Sequence, residues 1–151
     1  SWMPTKSDPG ASDAALRRAS LEQVARLATT RENESPHLVP IAFALESSTI
    51  YSMVDSKPKS TTKLLRLRNI SRNPDVCVLF DRYADDWSRL WWVRVDGTAK
   101  IAEQGPDFET AGALLAGKYP QYRSNPPVGP AIVIDINRVA WWESTPGLLS
   151  R

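Results

Sequence analysis

The apolar positions along the chain predict several short strands with helices between them. Residues 13–28 place apolar side chains at helical spacing and are predicted to form a first helix. Residues 37–45 and 49–54 are mostly apolar, and the polar residues 46–48 between them predict a hairpin. Pro40 has no N–H to donate to a neighbouring strand, so we expect residues 37–45 to lie at a sheet edge or to contain a bulge.

The second half of the chain continues this pattern. Residues 76–80 form a short apolar run, and residues 89–101 alternate between apolar and polar side chains, as a half-buried antiparallel strand does. Residues 106–117 are predicted to form a helix, residues 118–130 an irregular loop, and residues 132–142 a last strand. About six antiparallel strands with two or three inserted helices indicate a mainly β fold, a small closed or split β-barrel.

One stretch between the predicted strands concentrates positive charge. Residues 57–74, KPKSTTKLLRLRNISRNP, contain six basic side chains and no acidic one. Leu64, Leu67 and Ile70 recur every three residues, which predicts a helix, and the hydroxyls of residues 60–62 can cap its start. Unpaired N–H groups and the positive end of the helix dipole then meet hydroxyl and ammonium groups, which suits a phosphate. A solvent-exposed basic face is an equally good interpretation of the charge run by itself.

Length and composition favour a single domain. The chain has 151 residues, of which 42% are hydrophobic, and this is enough to bury a sizeable core. The Pro-, Ser- and Gly-rich residues 1–12 are expected to form a flexible tail, and residues 13–151 one domain. Ser1 and Trp2 precede Met3, and we expect them to be additions from cloning.

Charge, cysteine content and hydropathy narrow the function classes. The formal net charge is only +2, which argues against a dedicated nucleic-acid-binding protein. The single cysteine, Cys77, cannot form an intramolecular disulfide, and its apolar surroundings predict a buried thiol in a reducing compartment. No apolar run approaches a membrane span, and the N-terminal residues lack a signal-peptide core. We therefore expect a cytoplasmic protein without a membrane segment.

Conventional catalytic sets are missing from the sequence. His37 is the only histidine, so neither a histidine-based metal site nor a serine triad has enough residues, and a satisfied structural histidine is the favoured interpretation. There is no glycine-rich phosphate-binding motif. Asp85 and Asp86 lack a visible base or metal partner and are predicted to lie in a solvated loop.

Tryptophans cluster near those two acids. Trp87, Trp91 and Trp92 fall within six residues of one another. Core packing explains Trp91 best, whereas Trp87 lies in a polar segment where burial is hard to achieve. Aromatic side chains together with a phosphate-suited basic segment favour a planar ring that carries phosphate, as flavins and related cofactors do.

Five segments, in order along the chain, resemble a known family. They are VARLATT (24–30), PHLVPIAFAL (36–45), DSKPKSTTKLLRLRNISRNP (55–74), VLFDRYADDWSRLWWVRVDGTAKI (78–101) and KYPQYRSNPPVGPAIVIDI (118–136). Together they are similar to the pyridoxamine-phosphate-oxidase-like, FMN-binding split-barrel superfamily. The closer likeness is to its actinobacterial branch of deazaflavin (coenzyme F420)-dependent oxidoreductases.

The resemblance implies a split barrel that forms a homodimer with cofactor sites at the subunit interface. Residues implied to hold the cofactor phosphate are Lys57, Lys59, Thr62, Lys63 and Arg66. Residues implied to lie against the cofactor ring are Val39, Pro40 and Ile41, with Trp87 and Trp91 contributed by the partner subunit. No metal is implied.

Three functions remain open on the sequence. The first is an oxidoreductase that uses reduced coenzyme F420 to deliver hydride to an unsaturated small molecule, with the proton coming from solvent, His37, Tyr119 or Tyr122. The second keeps the fold and uses FMN, and the third is a non-catalytic protein that binds a flavin or deazaflavin. The long row of bases favours coenzyme F420, which has a phosphodiester and an acidic glutamyl tail, over the short phosphate arm of FMN.

Overall fold

The computed structural model describes residues 9–54 and 61–150, with side-chain positions for all of these except residues 9 and 61–64. The strands in this part of the chain are β1 (Ala25–Thr30), β2 (Pro36–Ile41), β3 (Ala44–Glu46), β4 (Thr49–Met53), β5 (Asp75–Arg82), β6 (Trp91–Ala102) and β7 (Ala131–Glu143). They form one curled sheet in the order β2-β1-β5-β6-β7-β4-β3, and every neighbouring pair is antiparallel. This is a split β-barrel with inserted helices, as the sequence predicted.

The helices of the described residues close the sheet from both sides. They are α1 (Pro9–Ala19), α2 (Thr61–Arg72), α3 (Pro106–Lys118) and α4 (Pro120–Ser124), with a short 3-10 turn at Trp87–Arg89. The main core lies on one face of the sheet, where Phe43 packs edge-to-face on Phe80 with ring centroids 5.0 Å apart. A second apolar cluster lies under α3, so the β4–β7 pair is buried on both faces.

Most predicted elements are confirmed. Strand β6 alternates buried and more exposed residues as its sequence pattern requires, from Trp91 to Ala99. The hairpin joins β3 to β4, and its turn residue Ser47 has a φ of 55°. Strand β2 lies at a sheet edge, the position that the missing N–H of Pro40 predicted.

The prediction of a first helix over residues 13–28 is wrong in its second half. Helix α1 ends at Ala19, and residues 25–30 form β1, which pairs with β2 and β5. Leu27 belongs to a period of two, with every second residue of β1 buried, and Val24 is 38% exposed. Short apolar patterns fit both periods, and here the cross-strand pairing of β1 outweighs the helical spacing.

Three smaller predictions also need correction. Residues 37–45 form two strands rather than one, since the chain leaves β2 after Ile41 and re-enters the sheet at Ala44. The region predicted to be an irregular loop contains α4. Cys77 is half-buried rather than buried, because alternate residues of β5 face outward. Of the predicted tail, residues 1–8 lie outside the described part of the chain, and residues 9–12 belong to α1.

Candidate functional site

Helix α2 positions the central side chain of the candidate site. Arg66 is only 8% exposed, and Asn69 and Ile70, three and four residues later, are buried on the same side of the helix. The Asn69 Nδ2 donates a hydrogen bond of 3.0 Å to Thr29 Oγ1, and Arg72 donates one of 3.2 Å to Asn69 Oδ1. These bonds hold α2 against the inner face of β1, and Arg66 lies on that buried side.

The charge of Arg66 has no counterion in the described part of the chain. Its Nε is buried without a hydrogen-bond partner, and none of the ion pairs between described residues includes Arg66. Burial lowers the pKa of the guanidinium. A buried cation without an acid is costly, and an anion at this place would satisfy both its charge and its free N–H.

His37 lies beside this cation. It is 7% exposed, its Nδ1 is buried without a hydrogen-bond partner, and burial together with Arg31 and Arg66 lowers its pKa. The imidazole therefore favours its neutral form. The expectation of a satisfied structural histidine is only half right, because His37 is buried but Nδ1 is not satisfied.

The three ring-contacting residues predicted on β2 point in different directions. Val39 and Ile41 are 8% and 4% exposed and belong to the core, whereas Pro40 is exposed on the outer side of the edge strand. A ring along β2 would therefore meet Pro40 and backbone groups rather than the side chains of Val39 and Ile41. Their assignment to the cofactor stays a prediction.

The remaining predicted phosphate ligands are not described in full. Lys57 and Lys59 lie outside the described residues, and Thr62 and Lys63 are in the first turn of α2 without described side chains. Arg66 is thus the only predicted phosphate ligand whose side chain the structure describes. It follows the first turn of α2.

The two predicted tryptophans have different environments. Trp91 is 3% exposed, and the guanidinium carbon of Arg18 lies 4.8 Å from its ring centroid, so it packs in the core. Trp87 is 68% exposed and follows Asp86, whose carboxylate accepts hydrogen bonds from the Ser88 backbone N–H and hydroxyl. Those bonds lower the pKa of Asp86 and make it the N-cap of the short turn at Trp87–Arg89.

The two tyrosines proposed as proton donors have different surroundings. The Tyr119 hydroxyl accepts from the Phe43 N–H at 3.0 Å and lies 2.9 Å from the Gln23 carbonyl oxygen, and burial raises its pKa. It serves to tie the β2–β3 bend to the segment after α1. Tyr122 lies close enough to Arg66 to influence the pKa of that guanidinium.

Sequence reasoning missed an aromatic cleft on the outer face of the sheet. It has a volume of about 370 Å³ and is lined by Leu79, Asp81, Arg82, Tyr83, Leu90, Trp91, Trp92, Arg94 and Trp142. The alternation of β6 placed Trp92 on the polar face, which was the available signal. Trp92 and Arg94 project outward from β6, whereas Trp91, which also lines the cleft, belongs to the core on the inner side of the sheet.

No group of three histidine, cysteine, aspartate or glutamate side chains among the described residues could hold a metal ion. None of the described helices is long and apolar enough to cross a membrane.

Known structures share the fold. A conserved hypothetical protein from Mycobacterium tuberculosis superposes with a TM-score of 0.70 at 19% identity, over 95% of this chain and 89% of that chain. A heme-binding protein from Mycobacterium smegmatis superposes with a TM-score of 0.72 at 18% sequence identity. The match covers 94% of this chain and 57% of that chain. An FAD-binding protein from Mesorhizobium loti superposes with a TM-score of 0.63 at 17% sequence identity. The match covers 92% of this chain and 96% of that chain.

Sequence comparison identifies the family. No curated protein sequence matches the chain. A family model described as pyridoxamine 5'-phosphate oxidase, however, matches residues 12–143, which span β1 to β7 and most of α1. Because this match covers most of the chain, the chain belongs to the pyridoxamine 5'-phosphate oxidase family.

Proposed function

We propose that this protein is an oxidoreductase that uses coenzyme F420, delivering hydride from the reduced deazaflavin to an unsaturated small molecule. The observation that carries the proposal is the buried Arg66, whose Nε has no partner and whose charge has no counterion among the described residues. In a family named for a flavin-type oxidase, a cation in that state supports a bound phosphate.

The residues of α2 fit an anionic cofactor arm. Arg66 would bind a phosphate oxygen from the buried side, and Thr62 and Lys63 belong to the first helical turn, where backbone N–H groups are unpaired. Lys57 and Lys59 precede that turn in the sequence and complete the proposed set. Bound there, the cofactor would supply the hydride, and the protein would supply binding, orientation and a charged environment.

The charge of the whole segment favours coenzyme F420 over FMN. Arg68 is exposed, two residues after Arg66, so the row of bases continues beyond the buried cation. A phosphodiester with an acidic tail uses such a row more fully than the single phosphate of FMN does. FMN is the second candidate, because Arg66 alone could hold its phosphate, and an FAD-binding protein shares the fold.

We also propose that the active form is a homodimer. Trp87 is 68% exposed in the segment before β6, which supports a role for its indole at a surface that a second copy covers. Leu38 on the edge strand is 66% exposed, as expected for a residue covered by a partner. A monomeric mass in light scattering at micromolar concentration would contradict the dimer.

Parallel titration of cofactor-free protein with coenzyme F420, FMN and FAD tests the cofactor. We expect the deazaflavin to bind most tightly, and Lys57→Ala and Lys63→Ala to weaken it by about ten- to a hundredfold, since a charge-assisted hydrogen bond contributes about 1.5–3 kcal/mol. Binding should also weaken with added salt.

The same preparation separates the alternatives. A yellow protein with a flavin spectrum that prefers FMN would replace the deazaflavin assignment, and a Soret band would indicate heme, which a protein of the same fold binds. Deazaflavin binding without turnover over a broad panel of unsaturated substrates would indicate a binding protein rather than an enzyme.

A further inference from the structure

The amine of Lys118, the last residue of α3, lies in an aromatic corner of the fold. Its Nζ is 3.6 Å from the ring centroid of Phe43 and 5.3 Å from that of Tyr119. The Nζ also donates a hydrogen bond of 3.1 Å to the carbonyl oxygen of Ser20, just after α1. The residue is half-buried, neither sealed in the core nor free in solvent. A small reagent can therefore approach an amine that has lost part of its hydration.

No carboxylate pairs with this amine in the described part of the chain. None of the ion pairs between described residues includes Lys118. Glu22 is the acid whose charge acts on the amine, but its carboxylate already pairs with Arg18 at 2.8 Å and with Arg82 at 3.3 Å. Arg123 adds a further cation at the end of α3, where it donates to two backbone carbonyl oxygens. The positive charge of Lys118 is thus poorly compensated.

These surroundings favour the unprotonated amine. Burial lowers the pKa of Lys118 from 10.5 to about 8. Tyr119 does not supply a negative charge, because burial raises the pKa of its hydroxyl and the hydroxyl bonds to backbone groups. A sizeable fraction of Lys118 therefore carries a free lone pair near neutral pH, which is how desolvated lysines become nucleophiles.

Lys100 is the opposite case within the same chain. Its side chain is 58% exposed, its Nζ lies 2.9 Å from Asp107 Oδ2, and this contact raises its pKa. Lys100 is the easier of the two amines to reach, whereas Lys118 is the easier to deprotonate. The pair therefore separates reactivity that comes from exposure from reactivity that comes from the surroundings.

We propose that Lys118 is an acylation site, at which the Nζ takes a small acyl group from an acyl phosphate without a second enzyme. The amine lone pair attacks the carbonyl carbon, the bond from that carbon to the phosphate oxygen breaks, and phosphate leaves with the electron pair. The Nζ then releases one proton to solvent. The amide product is neutral and keeps one N–H for the Ser20 carbonyl, so it suits a half-buried place that disfavours charge. The proposal is independent of any cofactor.

Acetylation of the folded protein by acetyl phosphate at about pH 7.5, followed by peptide mass spectrometry, tests the site. We expect Lys118 to react at least about tenfold faster than Lys100, because its larger unprotonated fraction outweighs the lower nucleophilicity of a weaker base. Exposure alone would favour Lys100 instead. With increasing pH, the rate at Lys118 should level off above its pKa of about 8, whereas the rate at Lys100 should keep rising.

Two controls show whether the fold creates the difference. In urea, where the contacts with Ser20 and Phe43 are lost, the two lysines should react at similar rates. Asp107→Asn removes the partner of Lys100 and should speed acetylation there, with Lys118 unchanged. Equal rates at the two lysines in the folded protein, or a preference for Lys118 that persists in urea, would overturn the proposal. Faster reaction at Lys118 with acetyl coenzyme A but not with acetyl phosphate would overturn the assigned donor.

Discussion

Replacing Arg66 with methionine should change stability and affinity in opposite directions. Without ligand, Arg66 is a buried cation whose Nε is unsatisfied, and such a group costs about 1–3 kcal/mol. Methionine keeps a flexible apolar side chain of similar length and removes the charge. We therefore expect Arg66→Met to raise the free energy of unfolding of the cofactor-free protein by about 1–2 kcal/mol, or about 2–8 °C in Tm for a domain of this size.

The cofactor should bind this variant about ten- to a hundredfold more weakly, since one charge-assisted contact to the phosphate is lost. Calorimetric melting of cofactor-free protein measures the first effect, and isothermal titration with coenzyme F420 measures the second. Opposite signs would mark Arg66 as a residue kept for binding at the expense of stability.

Arg72→Met on the same helix is the matched control. Arg72 donates a hydrogen bond to buried Asn69, so its loss should lower Tm slightly, while cofactor affinity stays within about twofold of wild type. If Arg66→Met instead lowers Tm and binds the cofactor as tightly as the wild type, Arg66 has a structural partner, and the reasoning behind the proposed site is refuted.

Three further predictions follow from individual contacts. His37→Gln should keep turnover within about tenfold, because the cofactor supplies the hydride and Nδ1 has no orienting partner; a loss of several orders of magnitude with cofactor still bound would assign His37 to the chemistry. Burial lowers the pKa of Lys118 from 10.5 to about 8, so between these pH values the unfolded state binds more protons than the folded state does. The free energy of unfolding of the wild type should therefore rise with pH across that window relative to Lys118→Met. Parallel pH profiles of unfolding for the two proteins would contradict this. Gly97→Ala should lower Tm, because a Cβ there would lie 2.5 Å from Ile134 Cγ2 and 2.8 Å from the Asp135 carbonyl oxygen, whereas Gly112→Ala in α3 meets nothing within 4 Å and should raise Tm.

The sequence by itself determined the elements whose patterns are long and internally consistent. The alternation along β6 has twelve residues in which to distinguish a period of two from a helical period, and it located the buried face correctly. The composition of residues 57–74 identified the charged segment, and its apolar spacing identified the helix within it. Pro40 similarly marked an edge strand, since a missing N–H is tolerated only where no neighbour requires it.

Only the tertiary structure decided the conformation of residues 25–30. Their apolar side chains suit the end of a helix as well as a strand, and the choice is made by backbone partners on β2 and β5 that are distant in sequence. Local propensity contributes a few tenths of a kcal/mol per residue, which a set of cross-strand pairs outweighs.

The two features on which the proposals rest were also decided by tertiary packing. A helical projection of α2 places Arg66 with the other bases, but the face of α2 that becomes buried is set by contact with Thr29 on β1, and that face includes Arg66. Lys118 and Ser20 are far apart in the chain, and only the packing of α3 beside the segment after α1 brings the amine to that carbonyl and to the Phe43 ring. Helical and strand periods fix which side chains share a face, whereas the partner that covers a face, or leaves it open, comes from distant parts of the chain.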